Sequence, residues 1–320
     1  MGKVSVCITI YNEKEETIKK LLSGLEKQTL KPDEIIIVDA SASPVFNLQL
    51  TRPASLSIFN QFKNLNFQLL HKRGVSRAEG RNIAIKKAKN NIIAITDAGC
   101  VPHKDWLQQL TKPFEITTSQ ASRNDIVVAG SYEMIFKNSF QKAEAVFLGI
   151  DLKDISDNFM PSARSMAFTK SIWKKAGGFP ENLKNTAEDT LFNLNLINAG
   201  AKFVVSKNAI IDWLMPTTIY DFGFKIYGYA KGDAASGIWW HPIKKLKTHN
   251  IKVLTVFLRY LILIILLLVN KPLCLVYVLC YMLYGYNKAR HWGIILQFVS
   301  DFACIIGFSH GILQTSIKRN

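Results

Sequence analysis

Acidic residues are scarce in this sequence: 24 Asp+Glu stand against 40 Lys+Arg in 320 residues, a formal charge of +16. Such a deficit predicts an anionic partner, and nucleic acid, a membrane surface and a nucleotide-bearing substrate all qualify. Zinc-ligand spacing, a basic zipper and an aromatic-basic RNA motif are missing as well, which leaves no nucleic-acid partner expected. The five cysteines (Cys7, Cys100, Cys274, Cys280, Cys304) include no Cys-x-x-Cys pair. A disulfide framework is thereby excluded, and buried thiols in a reducing compartment are the reading left. The first residues lack a basic segment followed by a cleavable apolar core, so no leader peptide is expected and the front of the chain should face the cytoplasm.

What is present begins with uncharged β-branched runs. Val4-Ser5-Val6-Cys7-Ile8-Thr9-Ile10 reads as a strand and delivers Tyr11-Asn12-Glu13 to its carboxyl end. Ile18, Leu21, Leu22 and Leu25 recur at helical spacing, and Glu34-Ile35-Ile36-Ile37-Val38 follows as a strand ending on Asp39. Strand, helix, strand at this spacing predicts a βαβ unit and a parallel sheet. Residues 42–65 lack a clear period and read as a surface insertion, before a third strand over 66–70. A fourth, Ile92-Ile93-Ala94-Ile95-Thr96, suits burial on both faces and pushes Asp97 out at its end, where open α/β sheets bind ligands. Ile126 to Gly130 reads as a further strand.

Three places could carry chemistry. Asp97 can hold a cation against a phosphate or merely open a turn. The segment from His71 to Asn82 is basic and feeds a helix N-terminus, which fits a phosphate site as well as a solvated loop. Glu188-Asp189 follows the Gly177-Gly178-Phe179-Pro180 turn. Thr186 with Asp189 three residues on is a capping-box-like start, although capping needs only one of the two acids.

Together these pieces resemble the family 2 glycosyltransferases of the GT-A fold. The resemblance rests on the strand into Tyr11-Asn12-Glu13, the strand into Asp39-Ala40-Ser41, and the Gly-x-Ser-x-x-x-Gly-Arg-Asn loop ending at Asn82. Thr96-Asp97-Ala98-Gly99, Met166-Ala167-Phe168, Gly177-Gly178-Phe179 and Glu188-Asp189 complete it in the family's order, over roughly residues 3 to 240. It implies an α/β, Rossmann-like nucleotide-diphospho-sugar transferase domain. By that resemblance Asp39 reads the nucleotide base, Tyr11 and Glu13 lie around base and ribose, and Arg77 and Arg81 border the nucleotide. Asp97 is implied to be the first acid of an Asp-x-Asp element that holds Mg²⁺ or Mn²⁺ on the diphosphate of a nucleotide sugar, most commonly a UDP-sugar. The acids Glu188 and Asp189 form the implied catalytic pair, with Asp189 the general base of an inverting transfer.

Departures from that pattern matter too. Gly99 stands where the second acid of Asp-x-Asp belongs, and Ala40 where a second acid often follows Asp39. His241, after Trp239-Trp240, is the candidate for an additional metal ligand, against a plain packing or interfacial role. The Gln-x-x-Arg-Trp element of processive synthases is missing, while Tyr227-Gly228-Tyr229-Ala230-Lys231-Gly232 resembles the stretch of non-processive members.

The last third is apolar. Residues 251–269 approach the ~20 residues that span a bilayer, with Arg259 inside the run. Asn270-Lys271-Pro272 breaks it, residues 273–286 resume it, and 292–314 form a third segment striped with small or polar residues. Lysines at 244, 245, 247 and 252, with Lys288 and Arg290, place both flanks of the hairpin on the cytoplasmic side. The expected organisation is a transferase domain over 1–240, a basic linker over 241–252 and membrane helices over 253–317, as a hairpin or re-entrant pair followed by a third helix that is either membrane-embedded or interfacial. The expected partners are a nucleotide-sugar donor, a lipid-linked or glycan acceptor and the cell membrane. Two alternatives stay open: a polyprenyl-phosphate glycosyl synthase, and an inactive nucleotide-sugar-binding membrane protein.

Overall fold

The computed structural model describes residues 2–45, 61–117, 123–157, 159–183, 186–238 and 247–317. His241, the linker as far as residue 246, and most of the expected surface insertion lie outside the described residues. The chain forms two compact units. The first comprises residues 1–135, 151–184 and 188–214, the second 136–150, 185–187 and 215–320, so the expected 1–240 domain contributes to both.

The first unit is an eight-stranded mixed sheet flanked by helices. Its strands are β1 (Val4–Ile10), β2 (Glu34–Asp39), β3 (Phe67–His71), β4 (Ile92–Asp97), β5 (Cys100–Pro102), β6 (Ile126–Ile135), β7 (Met166–Thr169) and β8 (Lys202–Leu214), in spatial order 3-2-1-4-7-6-8-5. The β-branched runs predict the first half well: β1 pairs in parallel with β2 and β4, and β2 with β3. The second half is mixed, because β7 runs antiparallel to both β4 and β6 and β5 antiparallel to β8. Pairing Ile10 with Asp39 and Thr9 with Asp97 brings the carboxyl ends of β1, β2 and β4 to one edge.

Helix α1 (Glu15–Glu26) returns along the sheet on Ile18, Leu21, Leu22 and Leu25, each fully buried. Each such side chain contributes about 1.5–3 kcal/mol. Helix α2 (Arg77–Lys87) starts on a capping box in which the Ser76 hydroxyl accepts from Glu79 N–H and the Glu79 carboxylate accepts from Ser76 N–H. It runs so close to β1 that a Cβ on Gly80 would lie 2.5 Å from the Thr9 methyl. Helices α3 (Trp106–Ile116), α5 (Lys170–Lys175) and α6 (Glu188–Asn198) complete this unit.

The second unit is helical. It holds α4 (Ser139–Leu148), α7 (Ile219–Ser236), α8 (Lys247–Val269) and α9 (Lys271–Ile317), the last broken at Ala289 and Arg290, where the backbone leaves helical geometry. Asn270 ends α8 and caps α9 by accepting from Leu273 N–H at 3.0 Å, which is how the expected break becomes a tight hairpin. The stripe of small residues packs helix backbones together: a Cβ on Gly307 would lie 2.4 Å from the Tyr227 carbonyl oxygen, and one on Gly311 2.4 Å from that of Lys231. Along α8 and α9 most large apolar side chains are exposed, Leu268 at 80% among them. Helix α9 is long and apolar enough, by length and composition, to cross a membrane. Within this apolar set Arg259 pairs with Asp301, which also accepts from the hydroxyl of Tyr281 and from Gln297.

Candidate active site

The carboxyl ends of β1, β2 and β4 carry Tyr11, Asp39 and Asp97, three of the sequence-predicted residues. Tyr11 is exposed directly after β1, and the turn that follows places Asn12 at φ +52°. That turn is tied to the neighbouring loop, since Asn12 N–H donates to the Ser41 hydroxyl at 2.7 Å. Asp39 is fully buried, and its two oxygens accept from the backbone N–H groups of Ser41 at 3.0 Å and Val45 at 2.7 Å. His71 Nε2 lies 2.9 Å from the Ser41 carbonyl oxygen and fixes the same loop from β3.

The centre of the site is Arg81. Its helix position puts it on the buried face with Ala78, Asn82 and Ile85, and its side chain is 2% exposed. One guanidinium nitrogen donates to Glu188 Oε1 at 2.6 Å and another to Asp97 Oδ1 at 2.8 Å. A single cation thereby ties the end of β4 to the first turn of α6. Arg77, half exposed at the start of α2, adds a 3.6 Å pair to Glu188. Phe179 backs the guanidinium, its ring centroid 5.4 Å away, and stacks at 4.0 Å on Phe192 of α6.

Asn82 sets that phenylalanine. Its amide oxygen accepts from Phe179 N–H and Trp173 Nε1, and its amide nitrogen donates to the Phe179 carbonyl and to Glu181. The turn needs Gly178 at φ +76°, where a Cβ would also meet the Asn82 oxygen at 3.1 Å. The Asn82 and Gly-Gly-Phe motifs, far apart in sequence, are therefore two halves of one contact that aims the acidic pair.

Glu188 is buried with its Oε1 facing both Arg81 and Arg77, whereas Asp189 is only partly buried. Asp189 Oδ1 accepts from Thr190 N–H at 2.8 Å and Oδ2 from Ala163 N–H at 3.3 Å. The capping-box alternative is not seen among the described residues: α6 begins at Glu188, so Ala187 rather than Thr186 directly precedes it, and the Thr186 hydroxyl donates to the Gly228 carbonyl.

Charge divides the two aspartates. Burial works against ionisation of Asp97, but Arg81, then Arg77 and Arg164, outweigh it and hold the carboxyl below the ordinary aspartate range. Burial, joined by the Glu188 charge, raises Asp189 despite Arg81 and Arg164. The guanidinium of Arg164 sits 3.8 Å from the Trp213 ring centroid and acts on both aspartates. Sequence reasoning missed its part in the site, as it missed the hub role of Arg81. The placement of Arg81 at i+3 from Ala78 and i−4 from Ile85 was the available signal, a cation on the apolar stripe.

Comparisons with known proteins agree with this architecture. Residues 5–140 match the family model described as glycosyl transferase family 2, and residues 81–235 match that of glycosyl transferase family 21. Glycosyltransferase AglE of Haloferax volcanii is 26% identical over 185 residues, 56% of this chain and 57% of that protein. The O-antigen chain rhamnosyltransferase RfbN of Salmonella typhimurium is 22% identical over 222 residues, 65% of each chain. The chain thus spans less than two thirds of the length of either relative. Among solved structures, GalNAc-T7 with UDP, GalNAc and Mn²⁺ aligns with a TM-score of 0.53 at 14% identity, over 79% of this chain and 54% of that one. This likeness is one of fold, and it bears out the expected GT-A α/β domain.

Proposed function

We propose that this chain, whose residues 5–140 match the glycosyl transferase family 2 model, is a family 2 glycosyltransferase that moves a sugar from a nucleotide-sugar donor to an acceptor oxygen, with inversion at the anomeric carbon. The observation that carries this reading is the opposed tuning of two carboxyls in one Arg81-centred cluster. Asp97 is held ionised and Asp189 is made a stronger base. Environments that push two carboxyls apart in this way separate a charge-holding role from a proton-accepting one.

In the proposed mechanism the diphosphate lies against Asp97 and the basic start of α2, with Arg77 exposed to meet it. The base and ribose lie along Tyr11, Glu13 and Asp39. The Asp39 carboxylate keeps acceptor capacity beyond its two amide bonds, since an ionised carboxylate offers about four lone-pair sites. Asp189 takes the acceptor's proton as its oxygen attacks, and Glu188 holds Arg81, and through it Asp97, in place. One base and one in-line displacement need no nucleophilic carboxylate.

The residues present fit a divalent ion at Asp97. The carboxylate is one-third exposed, and a Cβ on Gly99 would meet nothing within 4 Å, so the place of the missing second acid is open. One carboxylate with substrate phosphate oxygens and water is a donor set that Mg²⁺ or Mn²⁺ accepts. When bound, the ion would offset charge on the departing diphosphate. We place the acceptor at a membrane, as a lipid-linked glycan on the cytoplasmic side, on the strength of the apolar α8 and α9 and their basic flanks.

The amide bonds to Asp189 favour a second reading, in which the acceptor is a lipid phosphate already ionised and needing no base. A thermal-shift panel of nucleotide sugars with and without Mn²⁺, on the detergent-solubilised chain, tests the donor assignment through ligand linkage. Selective stabilisation by one donor, enhanced by Mn²⁺, is expected. Equal response to unrelated nucleotides, or none, would overturn it.

A further inference from the structure

Strands β6, β8 and β5 lie side by side at one margin of the sheet, and successive residues of each point to opposite faces. On one face Trp213 carries Arg164, whose charge reaches Asp97 and Asp189. Asp212 therefore points the other way, away from the proposed transfer site. It is paired in register with Glu133 on β6 and with Val101 on β5, and His103 follows Val101 on the same face. Two carboxylates set directly opposite each other on adjacent strands repel, and a sheet that keeps them so gains from a cation between them.

The third group supplies a matching donor. His103 Nε2 lies 2.7 Å from Asp212 Oδ1, and one ligand atom from each of His103, Glu133 and Asp212 lies within 4.8 Å of the others. Each residue comes from a different strand or strand end, and the side chains of His103 and Asp212 are about one-third exposed, at 35% and 32%, so an ion can enter from solvent. Ligand atoms around a tetrahedral ion with bonds near 2.0–2.2 Å stand roughly 3.3–3.6 Å apart, so the His103–Asp212 pair would part slightly to admit the ion, with the Glu133 oxygen already within 4.8 Å of both.

We propose that His103, Glu133 and Asp212 form a binding site for a first-row divalent ion of the Zn²⁺ type, separate from the transfer site and independent of nucleotide. One imidazole with two carboxylates and an open position for water suits such an ion. Lys20, Lys27 and Lys104 line a cavity of about 690 Å³ that Asp212 also borders. Their charge disfavours a loosely held hydrated ion and leaves the advantage to one that bonds imidazole directly.

The test is equilibrium dialysis of the full detergent-solubilised chain against micromolar ZnCl₂ without nucleotide, with metal counted by mass spectrometry. One Zn²⁺ per chain is expected, unchanged in Asp97→Asn. Affinity should fall at least about tenfold in His103→Ala and in Asp212→Asn, since even outer-shell changes cost that much. Glu133→Gln, an exposed isosteric change, guards against loss through misfolding and should weaken binding without lowering the metal-free melting temperature. Zn²⁺ uptake that survives His103→Ala and Asp212→Asn, uptake lost in Asp97→Asn, or no uptake at all would overturn the proposal.

Discussion

Replacing Arg81 by alanine tests the idea that one guanidinium organises the site. The side chain donates to Glu188 at 2.6 Å and Asp97 at 2.8 Å, but the two acids differ in exposure, 4% against 33%. Removing one partner of a buried pair leaves an uncompensated charge and costs about 3–5 kcal/mol. A partly exposed pair contributes only about 0–1 kcal/mol. Most of the loss in Arg81→Ala should therefore come from buried Glu188, left with only the half-exposed Arg77 at 3.6 Å. Adding Glu188→Gln to Arg81→Ala should recover most of it, whereas adding Asp97→Asn should recover about 1 kcal/mol or less. Urea unfolding of the three variants, followed by near-ultraviolet circular dichroism, reads the difference. Equal recovery by the two second changes, or a cost below about 1 kcal/mol for Arg81→Ala, would refute the reasoning.

Further predictions follow from the same geometry. The raised Asp189 must lose its proton to act, so activity should rise with pH through a midpoint above the ordinary aspartate range, and a pH–rate profile of the wild type measures it. The lowered Asp97 contributes stability above the unfolded aspartate pKa that is lost as pH falls through the folded one, and Arg81→Ala, which takes away the largest of its three cationic partners, should weaken this dependence. Glu144 is fully buried with neither oxygen hydrogen-bonded among the described residues, and burial pushes it up to about 7. Stability should then fall as pH rises from the usual glutamate range through about 7, and Glu144→Gln should flatten that slope and add about 1–3 kcal/mol at pH 8. Arg259→Leu should strand Asp301 and lower stability by about 3–5 kcal/mol, while Arg259→Leu with Asp301→Leu should recover most of that in a thermal melt.

Much of the first unit could be read from local patterns. β1, β2 and β4 are β-branched runs covered on both faces, with charge only at the ends of β2 and β4, and they fall within a residue or so of their expected bounds. Asp97 was visible because a charge ends such a run. β8 was not, since Ser206-Lys207-Asn208 interrupts its apolar pattern and β6, the partner it pairs with, lies some 75 residues away. The acidic pair was readable as two residues but not as two environments. Glu188 meets Arg81 across 107 positions, and nothing near it in sequence says that one acid is buried against a cation while its neighbour is not. The His103 and Asp212 contact, 109 positions apart, has no local signature at all. The break in α9, by contrast, falls in the charged gap that already separates the 273–286 and 292–314 segments in the sequence, although no proline or glycine stands at Ala289–Arg290.

The proposed transfer chemistry is tested most directly by turnover of Asp189→Asn at saturating donor and acceptor. Loss of the base should lower kcat about 10²–10⁴-fold while nucleotide-sugar binding, followed by thermal shift, stays at the wild-type level. Turnover within about tenfold of wild type would contradict the assignment and point to an acceptor that arrives already ionised.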